Sequence, residues 1–213
     1  MKKYLFLLGS SLMMVCCQPA NQDSQNKAPE TENANTSEPT NMVTDYLQVP
    51  GPISFGQNDF ILTWSSHPTA NYYKHEYLIK GANPDHYDQM IMVEVALGDL
   101  VLQDIAKGKA NEINSRKGAD PYAGNNISED AQKGEILLDF MLSEGTGDES
   151  IAEWNSYRYK SYVGPSGQKG ITLFALSKRG YGPAVKTFAA DMAANRTKHV
   201  TTFGLVPYPE IKL

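Results

Sequence analysis

Residues 135–176, EILLDFMLSEGTGDESIAEWNSYRYKSYVGPSGQKGITLFAL, carry three runs of period two separated by two glycine-rich breaks. Successive side chains on a strand point to opposite faces, so such alternation marks a sheet whose two faces differ in surroundings. Ile136, Leu138, Phe140 and Leu142 alternate in the first run. In the second, over 151–163, Trp154, Ser156, Arg158 and Lys160 share one face and Tyr157 and Tyr159 the other. The face with Arg158 and Lys160 reads as the solvated one. The third run sets Ile171, Leu173 and Ala175 against Phe174 and Leu176. The breaks at 145–149 and 164–170 are short enough for hairpins, so an antiparallel meander is expected.

The upstream chain follows the same logic. Phe60, Leu62 and Trp64 alternate over 59–65, and Tyr73, His75, Tyr77 and Ile79 over the next run. Residues 90–97 are mostly apolar, the pattern of a strand covered on both faces. The period then changes: Leu102, Ile105, Ala106, Lys109 and Ile113 keep helical spacing, with Asp99 as N-cap and Lys117–Gly118 as the stop. Residues 118–130 read as a Gly/Asn/Asp/Pro-rich loop. Beyond the meander, Pro183 opens a second helix whose buried stripe is Val185, Phe188, Ala189 and Met192. This order defines an α+β domain: an antiparallel sheet of about six strands with two main helices packed on it. The succession, over residues 50–205, resembles the PsbP-like superfamily, which includes DcrB-like lipoproteins. The resemblance lies in element order alone and carries over no residue. It implies an accessory or binding protein rather than an enzyme.

At the other extreme of the chain, Lys2 and Lys3 precede an apolar run over 4–15 and then Cys16–Cys17. The run is too short to span a bilayer comfortably, and its cations favour the cytoplasmic side. The pattern resembles the bacterial lipoprotein signal, which implies a signal peptide over 1–16 and lipidation, with palmitate among the acyl groups, at Cys17. Cys16 is the alternative acceptor, and an ordinary secretory signal with incidental cysteines is the competing reading. Residues 18–41 contain no aromatic or large aliphatic side chain, so 17–42 is expected to be a disordered tether. That leaves a single domain over 43–213. Gln18, not Asp, follows Cys17, which resembles an outer-membrane address. The expected location is the bacterial cell envelope, lipid-anchored, on the outer membrane and facing the periplasm.

No cysteine remains beyond Cys17, which excludes disulfides, thiol nucleophiles and cysteine–zinc sites from the domain. The chain carries −5, and −7 once Lys2 and Lys3 leave with the signal. Residues 18–42 hold −3 of that, so the domain holds −4. A thinly charged acidic domain is a poor match for nucleic acid or anionic headgroups. No nucleic-acid partner is expected, and contact with the membrane is expected through the N-terminal lipid alone.

Candidate chemistry is sparse. Trp64–Ser65–Ser66–His67–Pro68 sits at a strand end, and Asp85–His86–Tyr87–Asp88 sets an imidazole between carboxylates. A hydrolase would need His67 or His86 within reach of a nucleophile, water or metal; a turn and a solvated loop are the plainer readings. Glu144, Asp148 and Glu149 share a glycine-rich turn that lacks the spacing of a calcium loop. No catalytic residue, metal or cofactor is assigned. The tyrosines are more informative. Tyr72, Tyr73 and Tyr77 lie in one expected strand with His75, and Tyr157 and Tyr159 lie in another. Tyrosine joins a flat apolar body to a polar tip, which suits a protein or glycan partner in the envelope, and it also favours strands for packing alone. These six residues are the candidate binding surface.

Overall fold

The computed structural model describes residues 43–213, so the expected signal peptide, Cys16, Cys17 and the tether lie outside the described residues. The elements are β1 (Ile53–Phe55), β2 (Asn58–Thr69), β3 (Tyr72–Ile79), β4 (Gln89–Leu97), α1 (Leu102–Ser115), β5 (Gly124–Asp130), β6 (Glu135–Glu144), β7 (Ile151–Val163), β8 (Lys169–Tyr181) and α2 (Val185–Gly204). The strands form one sheet in the order β1-β2-β3-β4-β8-β7-β6-β5, antiparallel throughout.

The expectation of an α+β, PsbP-like domain with about six strands is thereby corrected. The fold is mostly β: eight antiparallel strands in a sheet curled into a half-barrel, plus two helices. The strands that alternation does not reveal are β1 and β5. β1 has only three residues. β5, with sequence GNNISED, has one large apolar residue, Ile127, and so shows no period. Tertiary pairing makes it a strand: Ile127 faces Leu138, and Asn125 Nδ2 donates to Ala110 O and Asn114 Oδ1 on α1.

The helices cover opposite faces. α1 packs on β5, β6 and β7 through Ala106, Ala110 and Ile113. Its start is not capped by Asp99; Val101 occupies that position and supplies no side-chain hydrogen bond. α2 packs on β7 and β8, with Ala189, Met192 and Phe203 buried. Beneath α2 lie Ile91, Val93, Val95, Trp154, Phe174 and Leu176, joined by Leu47 and Val49 from the segment before β1. Among the described residues, no helix is long and apolar enough to cross a membrane.

Arg158, expected on a solvated face, is only 2% exposed. Its Nε and Nη2 donate to the two oxygens of Glu135 at 2.8 and 3.0 Å, and Nη1 donates to Phe203 O and Val206 O. The guanidinium therefore ties β7 to the last turn of α2, adding to the backbone N–H that Phe203 O already accepts, and to the Val206 carbonyl just past it. Sequence alternation identifies which side of the strand Arg158 is on. It does not show that a helix lands there.

The sheet leaves two edges. β5 closes one side, and β2 borders the other beyond Phe60, where its pairing with β1 stops. β2 is broken there by register shifts between Leu62 and Trp64 and between Ser66 and Thr69.

Candidate functional site

The shift at Leu62–Trp64 is an irregularity of one residue, and one residue is enough to turn a side chain to the other face. Phe60 and Leu62 pack towards the α2 face, whereas Trp64 turns to the α1 face opposite Glu76. Trp64, Glu76, Met92, Ala175 and Tyr157 then oppose one another in succession across β2, β3, β4, β8 and β7. Ser66, Lys74, Glu94, Leu173 and Tyr159 form the adjacent row.

Polar contacts knit these rows together. Lys74 Nζ is 2.8 Å from Glu76 Oε1 and 3.8 Å from Glu94 Oε1, and sits 5.9 Å from the centre of the Trp64 ring. Tyr72 Oη donates to Glu94 Oε2 at 2.7 Å. Burial and then the Glu94 carboxylate push the Tyr72 hydroxyl far above its ordinary range. Burial alone would lower the Lys74 ammonium, but Glu94 and Glu76 outweigh it and hold it above its usual value. Both groups keep their protons near neutrality, as fixed donors.

Tyr157, 5% exposed, packs edge-on against Phe140 and Tyr159, and burial raises its hydroxyl. Trp64, by contrast, is 46% exposed at the free side of β2. The site is thus a buried floor of Tyr157 and Tyr159, a charged middle of Lys74, Glu76 and Glu94 with Tyr72, and an open aromatic rim.

The other half of the expected surface lies across the sheet. Tyr73, His75 and Tyr77 face α2, and His75 is wholly buried. Tyr77 Oη donates to Val49 O at 2.6 Å and accepts from His75 Nδ1–H at 3.1 Å, leaving His75 Nε2 to accept the Tyr46 N–H at 3.1 Å. This chain of bonds clamps residues 46–49 to the sheet. It requires a neutral imidazole, and burial, opposed by Asp45, lowers the His75 pKa accordingly. With the folded value below the ordinary 6.5, this contribution is complete above that pH and is lost as pH falls through the folded value. Hydrogen exchange should therefore show the Tyr46 amide losing protection in acid, with about 1 kcal/mol at stake for the broken bond. His75→Phe should remove the pH dependence.

His67 and His86 are not brought together. His67 Nδ1–H donates to Tyr72 O and the ring stacks on Tyr73, with centres 4.0 Å apart. His86 stacks on Tyr181 at 3.8 Å. Neither contact is with a hydroxyl nucleophile or a carboxylate. Among the described residues no cluster of three metal-ligating side chains occurs.

Within the site, sequence reasoning placed Trp64 wrongly, setting it in phase with Phe60 and Leu62. Its one outward signal is its position just ahead of Pro68, which cannot donate within a sheet and so marks an edge.

The chain is thus an eight-stranded antiparallel half-barrel flanked by two helices, with an aromatic and charged face open at one edge. A protein-family model matches residues 47–206, and the chain belongs to that family, whose function is unknown. No curated protein matches the chain.

Proposed function

We propose that this is a lipid-anchored cell-envelope protein that works by binding, with Trp64, Tyr72, Lys74 and Glu94 as its contact surface for an envelope protein or glycan. The observation that carries this reading is the exposed Trp64 ring beside an ammonium and two carboxylates already fixed in place. Recognition gains from groups held in position before the ligand arrives, and tryptophan is a frequent anchor of binding energy. Donors with raised proton affinity suit hydrogen bonding better than proton exchange. The anchor is supported by the run before Cys16–Cys17 and the polar stretch behind it.

Two measurements test the two halves of the proposal. In cells fed a clickable palmitate analogue, Cys16→Ser/Cys17→Ser should abolish labelling of the full chain; undiminished labelling refutes the anchor. Retention of the full chain on immobilised envelope extract should fall about 10- to 30-fold for Trp64→Ala and for Tyr72→Ala, the scale of a hot-spot contact. His86→Ala, at the far end of the sheet, serves as the control. Unchanged retention in both site variants would overturn the assignment.

A further inference from the structure

Nine large apolar side chains stand out in solvent among the described residues, and five of them share one end of the sheet. Val163 closes β7 opposite Lys169, and Gly98 N donates to Lys169 O, so the link carrying Leu100 and Val101 lies beside that hairpin. Ile105 follows in the first turn of α1. Leu205 sits just past α2, where Lys133 from the β5–β6 turn donates to Gly204 O. That turn belongs to the same end, since Glu135 pairs with Lys160 and Lys160 with Thr172. Val163 is 68% exposed and Leu205 77%. At the opposite end the β1–β2, β3–β4 and β6–β7 connections carry no side chain of that exposed set, and the exposed Ile61 lies within β2 opposite Leu78.

The N-terminal segment points the same way. Val49 is held at Tyr77, Tyr46 at His75, and Thr44 O accepts from Ser65 Oγ. Followed backwards, the chain climbs from the level of Tyr77 to that of Ser65 and His75, towards the apolar end. The sequence before Val43 then holds the tether composition, the cysteine pair and the apolar run. Beside Leu205 lies a hollow of about 400 Å³ lined by Lys133, Lys160 and the Arg158–Glu135 ion pair, so the polar lining at this end is of mixed charge.

We infer that this end of the sheet rests on the membrane surface, with Leu100, Val101, Val163 and Leu205 entering the boundary between headgroups and acyl chains. The inference rests on the lipid-anchor reading and goes beyond it: the acyl chain supplies attachment, and the loop tips supply orientation. Exposed apolar patches mark contact surfaces, and a tether of some two dozen residues makes even weak insertion effectively intramolecular.

The test uses the full chain on phosphatidylcholine vesicles with and without brominated acyl chains, reading tryptophan emission. Val163→Trp should shift to the blue and lose at least half its added emission to the bromolipid. Gln57→Trp, at the opposite end, should lose none. Adding Leu100→Ser, Val101→Ser and Leu205→Ser to Val163→Trp should abolish the quenching while the chain still floats with the vesicles. A floating chain whose Val163→Trp is unquenched, or quenched no more than Gln57→Trp, overturns the inference and leaves the anchor standing. The same holds if residue 163 is unquenched and cross-links to an envelope protein. A chain that neither floats nor takes up palmitate analogue removes the anchor and the inference together.

Discussion

Arg158→Ala will cost about 3–5 kcal/mol of stability, the range for stranding one partner of a buried ion pair. Three losses coincide there. Glu135, only 4% exposed, keeps a carboxylate with no bidentate partner. The Val206 carbonyl, in the segment just past α2, loses the donor that Arg158 supplies, and Phe203 O keeps only its backbone N–H partner. The rings of Phe174, Phe203 and Tyr208, whose centres lie 5.3–5.7 Å from the guanidinium carbon, lose the cation they pack around. Denaturant melts of Arg158→Ala should show the full deficit, whereas Arg158→Met paired with Glu135→Leu should recover most of it. A single variant within 1 kcal/mol of the parent would mean that the pair is replaceable by water.

Gly170→Ala is the second large effect, of at least about 3 kcal/mol, with insoluble expression as the extreme. Gly170 pairs with Leu97 where β4 and β8 meet. A Cβ there would lie closer than 3.0 Å to Ala96 O, a backbone atom that cannot swing aside as a side chain can. Accommodation requires the central strands to part. Gly108 in α1 provides the contrast: nothing lies within 4 Å of its would-be Cβ, so Gly108→Ala should gain about 1 kcal/mol in the same melts.

The sequence shows what is periodic and misses what pairing alone creates. Alternation of Leu138 and Phe140, or of Tyr157 and Tyr159, is visible because each strand has unlike surroundings on its two sides. β5 is invisible because its residues earn strand geometry from β6 and α1 rather than from their own apolar pattern. The candidate site suffers from the same limit. Tyr72 and Tyr73 are adjacent, so no strand can present both on one face, and the six expected residues divide between two. Trp64 is a different case: a single irregularity in β2 reverses its side, and no local residue type announces that reversal. Arg158 shows a third: burial by a helix some forty residues downstream leaves no trace in the strand's own alternation.

The broken outer border of β2 has a consequence for crowding. At high local concentration an uninterrupted strand border would let copies stitch together into ribbons. The two register slips and Pro68 spoil the regular spacing of donors and acceptors that such stitching needs. Copies of this chain therefore meet no regular template for strand pairing along that border.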